Sequence, residues 1–101
     1  MDIEWIKSKL KNDDYEFSEH AEEERQAEKI LIDEIEKALL EGEIIEDYPN
    51  DPRGQSCLLL GFGNEGSPIH VVCGKTKRGD LRIITVYVPS APKWVDPKTR
   101  R

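Results

Sequence analysis

The sequence predicts an α+β fold, two or three amino-terminal helices packed on a four-stranded, mainly antiparallel sheet. Three observations carry this. Apolar residues before Gly42 recur at three- and four-residue spacing. After Gly42 the pattern becomes one of β-branched and continuous apolar runs. Those runs follow one another through short turns with no helix between them, which is the order of an α+β domain and not of a doubly wound parallel sheet. With 101 residues the chain has room for one core and is read as a single domain, 1–101.

Ile3, Ile6 and Leu10 share one side of a short amphipathic helix over residues 2–12, which Asn12-Asp13-Asp14 ends. Ser18 is a good cap for a second helix, Glu19 to Lys29. Its only apolar residues are Ala21 and Ala27, so core burial alone does not hold it. A third helix, Ile32 to Glu41, carries a stripe of Ile32, Ile35, Ala38 and Leu39 and stops at Gly42. Ile35 and Leu39 are expected to pack against Leu58, Leu60 or their neighbours. Strands follow at Glu43–Tyr48, Ser56–Phe62, Pro68–Gly74 and Leu81–Val88. The second of these is apolar throughout its centre, as in a strand covered on both faces. Pro89, Pro92 and Pro97 mark an irregular tail that contains Trp94.

Gly61, Gly63 and Gly66 form a Gly-x-Gly-x-x-Gly, the spacing that cradles a dinucleotide pyrophosphate when a strand precedes it and a helix follows. Here Pro68 to Gly74 reads as a second strand, so these are glycines of a hairpin.

The net charge of −6 argues against nucleic-acid binding by charge alone, but the charge is uneven. Residues 1–50 hold 6 Lys/Arg against 17 Asp/Glu, a net −11, and residues 51–101 hold 9 against 4, a net +5. Either the two halves present faces to different partners, or they neutralise each other within one fold. No run approaches the roughly 20 apolar residues of a membrane span. The acidic, amphipathic amino terminus is unlike a secretory signal, so a cytoplasmic protein without membrane attachment is expected. Cys57 and Cys73 lie in apolar runs and read as buried thiols rather than as a disulfide or metal pair.

His20 and His70 are the only histidines. Glu24 stands one turn after His20 on the same helix face. His70 shares a strand face with Val72, and a two- or four-residue turn around Arg78-Gly79 would set His70 opposite Tyr87 and Val72 opposite Thr85. A three- or five-residue loop would break that pairing. His70 is therefore either a site residue or a histidine satisfied by a neighbouring carbonyl. His20, Glu24 and His70 lack any metal-motif spacing, and neither a metal nor another cofactor is expected. The residue types suit RNA cleavage by the 2′-hydroxyl, which requires a base, an acid and cations. Arg53, Lys75, Lys77, Arg78 and Arg82 are candidate substrate-binding residues, or else a solvated basic surface.

Several stretches taken together resemble the bacterial family catalogued as domain of unknown function 4258. They are Phe17-Ser18-Glu19-His20-Ala21 with Arg25, the Ala38-to-Pro49 run, Asp51-Pro52-Arg53-Gly54 with Ser56-Cys57, His70-Val71-Val72, and Ile84-to-Pro89 ahead of Trp94. The resemblance spans about residues 15–95. It implies kinship with RelE-, BrnT- and motility-quorum-sensing-regulator-type toxins, small α+β ribonucleases that cleave messenger RNA, and a neighbouring small zinc-finger antitoxin as partner. The positions it marks are His20, Arg25, Asp47, Tyr48, Arg53, His70, Thr85 and Tyr87. Combined with the two histidines and the hairpin register, it implies a catalytic set in which His20 and His70, close in space, share base and acid roles. Arg25 or Arg53 would hold the phosphate, and Tyr87 would orient His70 or donate a proton. The functional expectation is the toxin of a toxin–antitoxin pair acting as a metal-independent ribonuclease, with homodimerisation possible. The alternative is a non-catalytic protein-binding module of the same fold.

Overall fold

The computed structural model describes residues 1–90 and 93–100. In order these form α1 (Ile3–Lys11), β1 (Tyr15–Phe17), α2 (Glu19–Ala27), α3 (Ile32–Glu41), β2 (Glu43–Tyr48), β3 (Ser56–Phe62), β4 (Pro68–Lys75), β5 (Leu81–Tyr87), β6 (Trp94–Asp96) and β7 (Thr99–Arg100). The α+β class and the three helices are as the periodicity predicts. The sheet differs: it has five strands in the order β1-β5-β4-β3-β2, and β1 runs parallel to β5. A separate hairpin, β6–β7, forms where an irregular tail was expected. Both additions are three residues or fewer per strand, too short for a hydrophobic period to register.

Non-glycine left-handed residues punctuate the helical half. Asp13 (φ 60°) turns the chain from α1 into β1, and Lys29 (φ 58°) stops α2 two residues short of the expected end and lets Ile30 enter the core. Ser18 caps α2 by accepting from Ala21 N (3.0 Å). Glu34 caps α3 by accepting from Leu31 N (3.1 Å), and its other oxygen accepts from Asn64 N (3.0 Å) in the β3–β4 turn. This contact accounts for one of the three spaced glycines, since a side chain at Gly63 would collide with Glu34. A methyl at Gly61 would collide with Ala38, so that glycine lets α3 lie directly on β3.

The sheet has two unlike faces. On the first, Cys57, Leu59, Ile69, Val71, Cys73, Leu81, Ile83 and Val86 meet Ile6, Leu10, Ala21, Ile30, Ile35 and Leu39 from the helices. Ile35 and Leu39 thus pack on the neighbours of Leu58 and Leu60, which point to the opposite face. Cys57 and Cys73 sit opposite each other in register with free, buried thiols, Sγ to Sγ 3.8 Å. The second face carries Leu58, Leu60, His70, Val72, Thr85 and Tyr87, and the β6–β7 hairpin lies on it at the His70 end.

The expected cross-strand pairs, His70 with Tyr87 and Val72 with Thr85, are present, although the turn is not of the expected length. Lys75 pairs with Leu81, which leaves a five-residue loop, and a bulge between the Val72 and Cys73 pairs then restores the register.

The near-absence of apolar residues from α2 has its explanation at the sheet edge. β1 covers only Leu81–Ile83 of β5, so the rest of that edge has unpaired backbone groups. Helix α2 supplies their partners: Ser18 Oγ donates to Ile84 O (2.9 Å), Glu24 accepts from Val86 N (3.1 Å) and Glu28 accepts from Val88 N (2.7 Å). Its inward side is polar because it replaces a strand.

Candidate functional site

Beside the hairpin, the second sheet face opens into a groove of about 670 Å³. Val72, Gly74, Ile84 and Thr85 belong to its floor, with Ser18 and His20 of the α2 start on one side. Tyr48, Asp51, Arg53 and Ser56 stand on the other, and Lys75, Lys77 and Arg82 complete it. Another depression, of about 610 Å³, is lined by Tyr48–Arg53 of the loop alone and brings no imidazole to the cations.

His20 is fixed by the edge-capping system. Its Nε2 lies 3.3 Å from Glu24 Oε1, the same oxygen that accepts from Val86 N. Glu24 is three-quarters covered, whereas the His20 side chain remains 65% exposed. An imidazole is thereby anchored to the sheet through a carboxylate while its ring faces solvent. Nε2 meets the carboxylate at ion-pair distance, and Nδ1 is not engaged among the described residues.

Across the groove Asp51 shapes the loop. It accepts from Arg53 N (2.9 Å) and Ser56 Oγ (3.2 Å), and the Arg53 backbone bond, foremost among these contacts, lowers its pKa. The Arg53 guanidinium stays largely exposed, 3.4 Å from the same carboxylate. Asp51 is the single carboxylate among the groove residues. Lys75, Lys77 and Arg82 form no ion pair among the described residues, and the Lys75 ammonium rests 5.5 Å from the Trp5 ring centre. Four cations therefore face a single carboxylate that Arg53 already engages. This is a local inversion of the chain's net negative charge and favours an anionic ligand.

The groove gathers His20, Arg53, Lys75, Lys77 and Arg82 of the expected site, with Tyr48 and Thr85 among the marked positions. It does not gather the others. Arg25 is committed to Glu22 through two bonds (2.9 and 2.5 Å) and reaches Ile30 O (3.4 Å), so it braces the end of α2. Arg78 pairs with Asp80 (3.5 Å) in the β4–β5 loop, outside the groove lining. Asp47 receives the amino-terminal ammonium (2.5 Å) at the free edge of the sheet.

His70 is wholly buried and both ring nitrogens are occupied. Nε2 is 2.6 Å from Pro97 O and Nδ1 is 3.1 Å from Tyr87 Oη. The carbonyl only accepts, so Nε2 carries the proton and the Tyr87 hydroxyl donates to Nδ1. Burial lowers the His70 pKa, although the Pro97 carbonyl and Glu46 pull the other way, and burial raises that of Tyr87. The two histidines are therefore not a pair of open imidazoles. His70 is the carbonyl-satisfied alternative, and Tyr87 orients it.

Sequence reasoning undervalued Glu24 and Asp51. The i,i+4 spacing of His20 and Glu24 was visible, but the Val86 N–H that fixes Glu24 was not. Trp94, Pro97 and Arg100 gave no signal of these contacts, because Trp94 and Pro97 meet His70 on β4 and Arg100 meets Glu46 on β2.

A family model described as Domain of unknown function (DUF4258) matches residues 17–88. No curated protein and no solved structure matches the chain.

Proposed function

The chain belongs to the DUF4258 family, and from its groove we propose that it is a metal-independent ribonuclease, acting on messenger RNA as the toxin of a toxin–antitoxin pair. The observation that carries this is His20, anchored by Glu24 and exposed in a groove whose other charged groups are Arg53, Lys75, Lys77 and Arg82 with Asp51 alone opposing them. The cations hold successive phosphates. His20 Nδ1 takes the proton of a 2′-hydroxyl, whose oxygen attacks the adjacent phosphorus. The 5′-oxygen leaves with a proton from a lysine ammonium or water, giving a 2′,3′-cyclic phosphate and a 5′-hydroxyl end. Arg53 and Lys75 offset the charge that builds on the phosphorane. The kinship with RelE- and BrnT-type toxins that the family resemblance implies supports the same reading, and with it a zinc-finger antitoxin as partner.

The test is cleavage of a defined messenger RNA by purified protein in chelator, with wild type beside His20→Ala. Cleavage by the wild type, cyclic phosphate ends and loss in the variant are expected, together with growth arrest on induction that the adjacent gene relieves. RNA that binds in a salt-dependent way and stays intact would leave a non-catalytic binding module. That second reading draws on the presence of one open imidazole rather than two.

A further inference from the structure

The half of the second sheet face that the groove does not use is filled by the chain itself. Trp94 lies edge-on to His70 (ring centres 4.3 Å, 86°), and Tyr87 lies edge-on to the same imidazole from the other strand (5.2 Å, 69°). Leu58 and Leu60 on this face are buried as well. The seat adjoins the groove: His70 and Tyr87 are each one same-face position, about 7 Å, from Val72 and Thr85. We propose that the β6–β7 hairpin is a displaceable plug, and that the seat it fills is a pocket for a nucleobase bearing a ring carbonyl.

Three features argue for this. The first is the chemistry of the seat, an apolar slot walled by aromatic rings with one aimed donor, His70 Nε2–H, on which Pro97 O now sits. A flat ring with a carbonyl at its edge satisfies both demands, as base-stacking sites do. The second is an imperfect occupant. Trp94 Nε1 is buried and lies near the Tyr87 hydroxyl, the acceptor within its reach, without meeting it in hydrogen-bond geometry among the described residues. The third is the fastening. The hairpin has strands of three and two residues, too few to stand alone, and lies beyond the span that the family model matches. Its charged ties are Arg100 to Glu46 (2.7 and 3.0 Å) and Lys98 to Glu43 (2.7 Å), the latter on the surface, where such pairs hold weakly. The pocket extends the groove reading by naming what lies beside the phosphates, and its test is separate from that reading.

The test uses phosphate-free nucleosides. The full chain carrying Lys98→Glu with Arg100→Glu, which sets the hairpin against Glu43 and Glu46, is titrated with uridine or adenosine while the His70 ring resonances are followed. A second variant, Trp94→Ala, removes the ring that fills the slot and leaves only the Pro97 carbonyl to be displaced. Uridine should shift the His70 signals saturably in the ~0.1–10 mM range in both variants, as for a ligand with one stacked ring. Wild type should stay unchanged at the same concentrations. Adenosine, which has no ring carbonyl, should bind at least about fivefold more weakly, the loss of one aimed hydrogen bond. No response to uridine in either variant overturns the pocket, equal response to adenosine overturns the carbonyl assignment, and loss of the sheet in both variants overturns the plug. Uridine binding beside oligonucleotide binding that ignores salt and the groove lysines would instead sink the groove reading and leave the pocket standing.

Discussion

Two histidines stand at one sheet face, His20 on α2 beside it and His70 on β4 within it, and they live under opposite conditions. His20 stands in an open, cation-rich groove with one nitrogen held by Glu24 and the ring in solvent. His70, in the neighbouring region, is sealed beneath Trp94 with a partner on each nitrogen. The residue type is the same, so burial and partners decide the role. An imidazole with an unengaged nitrogen is able to move protons, as proposed for His20, and one whose two nitrogens are satisfied in an apolar seat is suited to holding structure.

The widest break between the regions is expected on exchange of the two imidazoles. On the proposed chemistry, His20→Ala lowers the cleavage rate by about 10²–10⁴-fold, the range of a positioned general base, and leaves the melting curve almost unmoved because the side chain is exposed. His70→Ala does the reverse. It removes about 2–4 kcal/mol of stability, as other buried large-to-small changes do, and the folded fraction loses far less rate than His20→Ala does. Rate assays beside urea melts of both proteins decide it, and a catalytic loss at His70 equal to that at His20 would erase the distinction.

Glu24 sharpens the comparison at the next scale. Glu24→Gln keeps an acceptor for Val86 N but replaces the carboxylate that His20 Nε2 meets. The rate should fall by up to about 10²-fold, the cost of a mispositioned group, mainly in kcat. Glu24→Ala should add a loss of stability, because Val86 N is then unpaired. A kcat that stays put in Glu24→Gln would make Glu24 an edge cap only.

What the sequence disclosed follows the same division. Long periodic elements were readable: the stripe of α3 and the apolar run of β3 announce their own environment. The His70–Tyr87 pairing was also readable, although a five-residue loop and a bulge offset each other to produce it. Contacts made by backbone were not. The edge of β5 that Glu24 and Glu28 cap exists only because β1 stops at Phe17, and no side-chain pattern encodes a missing strand. The burial of His70 depends on a carbonyl at Pro97, a group every residue owns. The groove cations were legible as a set, while the ion pairs that withdraw Arg25 and Arg78 from it depend on local geometry.

A smaller effect separates the groove cations. Lys75→Glu and Arg82→Glu should each weaken RNA binding about tenfold and cut the salt slope by about one, since each phosphate contact releases about one counterion. Arg78→Glu, at a position tied to Asp80 outside the groove, should change binding less than either. Anisotropy titrations at several salt concentrations distinguish these, and equal losses at all three positions would indicate a diffuse basic surface in place of a groove.

The smallest effect is the pH dependence of the sealed region. The His70 pKa lies below the ordinary imidazole value, chiefly through burial, with Arg100 and Lys93 acting in the same direction and the Pro97 carbonyl and Glu46 opposing them. The unfolded chain, with His70 near its usual value of about 6.5, takes up a proton before the folded chain does. The stabilisation from a neutral His70 is therefore complete above about pH 6.5 and is lost as the pH falls from there through the lowered folded value. Nearby Glu46 has its own pKa lowered, mainly by the Arg100 hydrogen bond, so its titration lies below the ordinary carboxylate range and outside the upper part of this window. His70→Phe removes the titrating group from the seat, and its stability between pH 5 and 7.5 should be flatter than that of the wild type, as urea midpoints across that range would record. A wild-type curve parallel to that of the variant would mean that His70 takes up its proton as readily in the folded chain as in the unfolded one, and the seat would then not seal the imidazole.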